Sequence, residues 1–461
     1  MDGEFMSEYG AADPFALWLY FQQGGKEVQG DENNSTKKTP RPDQLRLQLA
    51  PAPATRCMKA VWAAHASPDD PLAALRCDIV PVPALPVPMP MGGSSAGRWV
   101  RVRVTRTSLN RRDVAALRGH AGVGAFPVGL GCEAVGRLED GAEVLVYPVI
   151  SDAAAVAAAA VAAAAAAARE TVTSTATASA ATSFCDDDDD DDGEGGGGGG
   201  GHNGVTTGTR RLHVLGRHMH GLMAEYAVVP AANLVPKPLC MPVNTAAVLG
   251  CAWLVAYRML FTLSGLPGTF GGRVVRRRER EEQGQAQAQA QAQGGRRMLV
   301  QGSSGGVATA LVQMGAAAGM QVWATGRTEE KRALALRLGA ERAFAPDEEI
   351  PLRAHAVFSL CGAATWAQAV DSVEDGGAIV LCGDHGGGRA EMDLAGLISR
   401  GVAVRGAGMA TMEEFRELVG FVAEHRIRPL IDSVVPLDSG VRQGLERFMA
   451  GKVRGKLVVS L

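Results

Sequence analysis

Residues 297–338 read RMLVQGSSGGVATALVQMGAAAGMQVWATGRTEEKRALALRL, and this stretch decides the fold. A short apolar run, Met298, Leu299 and Val300, leads into Gly302-Ser303-Ser304-Gly305-Gly306-Val307-Ala308 and then an apolar-periodic helix. A glycine-rich turn between strand and helix lets the backbone approach a pyrophosphate. Free N–H groups and the positive helix end stabilise its charge. A second strand, Gln321–Thr325, ends in Gly326-Arg327-Thr328 with Lys331 one turn into the next helix, where an Asp or Glu would otherwise bind a ribose 2′-hydroxyl. Two cations there favour a 2′-phosphate, so the expected cofactor is NADPH rather than NADH. A glycine pattern alone is weak, because such turns also join strands to helices for structural reasons. Here the strand, the helix, the second strand and the basic residues agree.

The chain has 461 residues and a formal net charge of −3, a balance that calls for no nucleic-acid partner. Its cysteines, at 57, 77, 132, 185, 240, 251, 361 and 382, form no C-x-x-C pair and suit reduced thiols in a cytoplasmic enzyme. The N-terminus is acidic (Asp2, Glu4, Glu8). Its apolar run Phe15–Phe21 is too short to span a membrane and lacks a basic leader, so neither membrane insertion nor secretion is expected.

Three regions do not read as packed protein. Residues 1–57 are polar and irregular and read as a disordered extension. Residues 151–212 join polyalanine, a Thr/Ser/Ala run, the aspartates Asp186–Asp192 and a glycine run into a low-complexity insert. The alanine tract falls short of the ~20 residues of a spanning helix, and the aspartates lack the spaced ligands and glycine of a calcium loop. Residues 270–296 combine a charge block, Arg276–Glu282, with a Gln-Ala repeat. Its basic residues are interleaved with Glu279, Glu281 and Glu282 and have no aromatic partners, as in a surface loop rather than an RNA site.

About 320 residues remain, a two-domain size. Residues 58–150 carry short strands (Lys59–Trp62, Trp99–Val104, Gly131–Arg137, Glu143–Tyr147) with Pro and Gly punctuation, an all-β pattern. From Thr245 onward helices and strands alternate: helix Thr245–Thr262, strand Met298–Gln301, helix Gly306–Ala318, strand Val322–Thr325 and helix Glu329–Leu338. Strand Ala356–Leu360, helix Thr365–Val373 and strands Ala378–Cys382 and Val402–Arg405 follow, predicting a parallel sheet covered on both faces. Thr411-Met412-Glu413-Glu414 is a capping-box start for another helix, and Lys456–Leu461 reads as a final strand.

Several short segments then recur in a recognisable order: Ser108-Leu109-Asn110-Arg111-Arg112-Asp113, Gly131-Cys132-Glu133 before Gly136, Ala224-Glu225-Tyr226 with Val228-Val229-Pro230, Ala256-Tyr257-Arg258, and Gly455-Lys456-Leu457-Val458. In this order they resemble the medium-chain dehydrogenase/reductase superfamily, in particular its zinc-free quinone oxidoreductase and enoyl-reductase-like branch. The resemblance implies an α/β protein: a GroES-like β-barrel domain (58–244), a Rossmann domain with a doubly wound parallel sheet (245–429), and a segment (430–461) returning to the first. The nicotinamide would lie in the cleft between them.

Zinc-dependent relatives carry a cysteine where this chain has Asn110, and Gly-His-Glu where it has Gly131-Cys132-Glu133. No clustered cysteines exist for a structural zinc lobe. Cys132 and Glu133 with His120 are the alternative ligand set, but a lone Cys is more often a small buried residue, and no metal is predicted. Without one, hydride delivery to a quinone or an α,β-unsaturated carbonyl is the easier chemistry. The resemblance places Asn110 beside the nicotinamide; its alternative is a cap for Arg111–Leu117. Arg112 and Asp113 are candidate orienting or proton-handling groups, or else surface charges. Tyr257 either bonds a phosphate or packs, and Lys456 either reaches the cofactor or faces solvent. Gly383 and Gly406 sit at strand ends that would flank the nicotinamide, with Cys361 at a third. Val255 and Ser359 depart from the family pattern. The expected activity is thus NADPH-dependent reduction of a small electrophilic acceptor; a zinc-containing alcohol dehydrogenase and a non-catalytic NADPH-binding protein are the alternatives. By analogy, the strand at Val402–Val404 is a candidate homodimer edge.

Overall fold

The computed structural model describes residues 56–83, 85, 98–120, 126–151, 212–266 and 297–461. Apart from a few flanking residues, the expectations for 1–57, 151–212 and 270–296 lie outside the described residues.

The first half is built from β1 (Cys57–Ala63), β2 (Leu75–Pro81), β3 (Trp99–Ser108), β4 (Val128–Gly129), β5 (Ala134–Arg137), β6 (Glu143–Val146), β7 (Val149–Ser151), β8 (Leu212–Val214), β9 (Tyr226–Pro230) and β10 (Leu234–Pro236). The second half holds β11 (Arg297–Gln301), β12 (Gln321–Thr325), β13 (Arg342–Phe344), β14 (Ala354–Ser359), β15 (Val373–Leu381) and β16 (Ala403–Gly406), followed by β17 (Ile431–Pro436) and β18 (Lys456–Ser460). A small sheet runs β2-β1-β4, and a larger one runs β10-β6-β5-β3-β18-β17 with β9 also paired to β3. β18 lies antiparallel to β3, so the chain returns to its first domain after completing the second.

The second sheet is parallel throughout, in the order β13-β12-β11-β14-β15-β16. Met298, Leu299 and Val300 are fully buried along β11, as strands covered on both faces must be. The strand order reverses beside β11, which has β12 on one side and β14 on the other, and the crevice at that switch point is where such sheets bind ligands. β16 is an edge strand. The capping box is present: the Thr411 hydroxyl accepts from the Glu414 N–H at 3.2 Å, and the Glu414 carboxylate accepts from the Thr411 N–H at 2.6 Å, opening the helix Met412–Glu424.

Three details differ from the sequence expectations. The helix expected over Thr245–Thr262 begins at Val243 and is regular only over Val243–Ala246 and Leu254–Tyr257; Leu249–Trp253 and Arg258–Leu263 are wound wider, as π-helix. In the first wide stretch the Cys251 N–H donates to the Glu133 carboxylate at 2.8 Å, so a side chain from the first domain takes a helical donor. The β-rich half also contains the helix Arg111–Leu117, and the helices Leu394–Arg400 and Val441–Met449 went unread. Among the described residues no helix is long and apolar enough to cross a membrane.

Candidate functional site

The glycine turn follows β11 directly. Gly302 has φ 99°, a left-handed conformation that suits only glycine without strain, and its N–H is held by the Thr325 hydroxyl at 3.1 Å. The helix Gly306–Ala317 starts at Gly305 with no side-chain cap, so its first N–H groups are available to a ligand. A Cβ on Gly302 or Gly305 would meet nothing within 4 Å, and the Ser303 hydroxyl is buried without a partner. Ser304, Val307 and Ala308 complete the turn and the first helical residues. At the end of β12, Gly326 lies against Ser303, and Arg332 donates to its carbonyl at 2.9 Å. Arg327 is exposed beside it and Lys331 half-buried. Burial, then the charges of Arg327 and Arg454, hold the Lys331 ammonium below its usual range. Cys361 faces the same cations: burial pushes its thiol up, against Arg111, Arg327 and Lys331. The Gly455 N–H donates to the Ser304 carbonyl at 2.7 Å, fastening the returning segment to the turn. These residues fit a dinucleotide: an open helix start for the pyrophosphate, with a cation group beside it at the end of β12.

Next to the turn lies a sealed polar network centred on Glu133. One carboxylate oxygen accepts from Asn110 Nδ2 (2.8 Å), Lys456 Nζ (2.9 Å) and the Ser108 hydroxyl; the other accepts from Cys251 N–H. Lys456 also donates to Asn110 Oδ1 at 2.6 Å and to the Leu109 carbonyl at 3.0 Å. It is 3% exposed, which removes the solvent-facing alternative. Its stem packs beside Gly306 of the turn, while its ammonium is bonded into the network. Asp113 is not a free proton-handling group. Its two oxygens accept the N–H groups of Asn110 (2.7 Å) and Gly131 (2.9 Å), and burial pushes its carboxyl up to about 6. Asn110 starts the helix Arg111–Leu117, yet its side chain points to Glu133 and Lys456 instead of capping. Tyr257 is fully buried and donates to Glu417 at 3.2 Å, the packing alternative rather than a phosphate contact.

The floor of the cleft is sulfur-rich. Cys132 and Cys251, both buried, share a thiol–thiol hydrogen bond, which favours the Cys251 thiolate and pushes Cys132 up. Arg112 crosses from the first domain to donate to Met409 Sδ, 3.3 Å away, just beyond β16. Gly383 follows β15 and Gly406 ends β16, both exposed at strand C-termini. The structure therefore joins Asn110 and Lys456 in one buried network, sets Arg112 against Met409 just past β16, and leaves Gly383 and Gly406 at neighbouring strand ends. Cys251 went unread as a site residue although it lies in the same helix as Tyr257; its only signal was a thiol in an apolar run. Residues that would hold zinc do not fit the ion. Glu133 is neutralised by an ammonium and fully hydrogen-bonded, Asn110 is engaged with Lys456, His120 is exposed, and the thiols number two. Among the described residues no group of three or more His, Cys, Asp or Glu could hold a metal ion.

Residues 96–239 match the family described as "Alcohol dehydrogenase GroES-like domain", and residues 306–424 match "Zinc-binding dehydrogenase". An alcohol dehydrogenase of Geobacillus stearothermophilus is 26% identical over 256 residues, 53% of this chain and 66% of the relative. A thermostable alcohol dehydrogenase from Pyrobaculum aerophilum superposes with a TM-score of 0.62 at 20% identity, covering 88% of this chain and 100% of that one. A crotonyl-CoA carboxylase/reductase, AntE, solved in complex with NADP, superposes with a TM-score of 0.62 at 19% identity over 88% of this chain and 94% of that one. The two family matches fall on the two halves of the fold in that order, and the chain belongs to the medium-chain dehydrogenase/reductase superfamily of oxidoreductases.

Proposed function

We propose that the protein is an NADPH-dependent reductase that passes hydride to a quinone or an α,β-unsaturated carbonyl without zinc. The observation that carries this reading is the buried Lys456–Glu133–Asn110 network, in which an ammonium rather than a metal neutralises the carboxylate. NADPH, when bound, supplies the hydride. The turn Gly302–Ala308 would seat the pyrophosphate, and Arg327 and Lys331 would pair with the 2′-phosphate, each cation in a place where NADH offers it nothing. Gly383 and Gly406, lacking side chains at the ends of β15 and β16, leave room for the nicotinamide and the acceptor. Asn110, fixed by Lys456 and Glu133, forms a rigid wall on the opposite side, which keeps the reacting groups aligned. A homodimer through the β16 edge and a cytoplasmic location, suited to the reduced thiols, belong to the same proposal.

The test is NADPH consumption, in the presence of a chelator, against a small panel of quinones, enals and enones. Turnover with a clear preference for NADPH over NADH is expected. NADPH binding with silence across the panel would remove the reductase reading, and activity that depends on stoichiometric zinc would restore the alcohol dehydrogenase one.

A further inference from the structure

We propose that Arg112 is the electrophile of this site: its guanidinium binds the carbonyl oxygen of the acceptor and carries the negative charge that develops there. The proposal rests on the reductase reading above and names the group that does the work a metal ion does elsewhere.

Arg112 lies in the first turn of the helix Arg111–Leu117, and its Nη2 reaches Met409 just past β16. Cys132 and Cys251 lie close enough for their charges to act on it, and Arg112 in turn acts on Cys382, the residue before Gly383 at the end of β15. The guanidinium thus sits over the C-terminal ends of β15 and β16, the side of a parallel sheet that receives the ligand.

Among the described residues no carboxylate forms an ion pair with Arg112, although a half-buried guanidinium remains charged at any physiological pH. The two carboxylates that act on it are already engaged: Asp113 by two backbone N–H groups, and Glu133 by Ser108, Asn110, Lys456 and Cys251. Among the described residues Nη1 is buried with no hydrogen-bond partner, and Nη2 has a thioether sulfur, a weak acceptor. An orphaned donor on a permanent cation is costly, and an oxyanion ligand relieves that cost.

The chemistry follows. Hydride adding to the β-carbon brings an electron pair. The C=C π pair moves to the bond between the α-carbon and the carbonyl carbon, and the C=O π pair moves onto oxygen. Arg112 N–H groups donate to that enolate oxygen without losing their protons. A proton from water then adds to the α-carbon, the carbonyl re-forms, and hydroxide and NADP+ are the co-products. A guanidinium contact strengthens as oxygen gains charge, so it stabilises the transition state more than the ground state.

Arg112→Met and Arg112→Lys test this in the full chain. NADPH affinity, read by fluorescence titration, should stay within about twofold, while kcat/KM for an enone falls by roughly 10²–10³ in Arg112→Met and less in Arg112→Lys. A readout without turnover uses 4-nitrophenol, a mimic of the enolate, added to the NADP+-loaded protein. Its ionisation should shift to lower pH by about a unit or more on the wild type and not on Arg112→Met. Retained turnover in Arg112→Met, or an unshifted nitrophenol on the wild type, overturns the proposal. A shifted nitrophenol on a protein that reduces no conjugated carbonyl would instead sink the reductase reading and leave the oxyanion site standing.

Discussion

Replacing Lys456 with Met is the sharpest probe of the sealed network. The substitution keeps the stem beside Gly306 but removes three contacts, to Glu133 (2.9 Å), Asn110 (2.6 Å) and the Leu109 carbonyl (3.0 Å). Glu133 is fully buried and would lose the ammonium bonded to it. Breaking a buried pair by deleting one partner costs about 3–5 kcal/mol, most of it the stranded charge. At about 2–4 °C per kcal/mol for a domain of this size, the thermal midpoint should fall by roughly 6–20 °C, read by calorimetry. The double variant Lys456→Met/Glu133→Gln strands no charge and should recover most of the loss. Lys456 is subject to burial, which lowers its pKa, but Glu133 and the thiols hold the ammonium above its ordinary 10.5. Its contribution is therefore complete below that value and fades above it, so the ion-pair part of the difference between wild type and variant should fall off as the pH rises past 10.5. A single variant that loses under about 1 kcal/mol, or a double variant as unstable as the two singles summed, would refute the idea that a buried ion pair holds this site together.

Two further outcomes are expected. Arg327→Ala should weaken NADPH binding by about tenfold or more while leaving NADH unchanged, measured by fluorescence titration; an equal loss for both would place the 2′-phosphate elsewhere. Burial holds His220 down to about 4, with its Nδ1 accepting the Gly129 N–H at 3.1 Å. The unfolded chain gains a proton below 6.5 that the folded chain refuses, so stability falls as pH drops from 6.5 towards 4, by at most about 3 kcal/mol. His220→Asn, which keeps an acceptor in place of Nδ1, should flatten that slope in chemical denaturation.

The parallel-sheet half was legible because its signals are local. A glycine turn, a capping box at Thr411–Glu414 and short apolar runs such as Met298–Val300 of β11 each declare themselves within a dozen residues. The site was only partly legible because its partners lie far apart: Ser108, Glu133, Cys251 and Lys456 meet only once β18 has docked on β3. Sequence gave Lys456 two destinations, cofactor or solvent, and the actual one is a carboxylate more than three hundred residues upstream. For Asp113 the sequence leaves a proton-handling or orienting role beside a surface charge, because nothing local shows that the Gly131 N–H closes on it. The wide winding at Leu249–Trp253 was invisible for the same reason: its cause is Glu133, in another domain.

The returning strand also orders events in time. The residues of the parallel-sheet half are contiguous, so this half can assemble as it leaves the ribosome. The earlier half cannot finish: β3 waits for β18, and Glu133 waits for Lys456, until the whole nucleotide domain has been synthesised. Because Gly455 also bonds Ser304, the same docking event completes the larger sheet of the first domain, brings an ammonium to the buried carboxylate and fastens the glycine turn. A nascent chain halted before β18 would present an unfinished sheet edge with an uncompensated charge behind it, a substrate for chaperones rather than for hydride transfer.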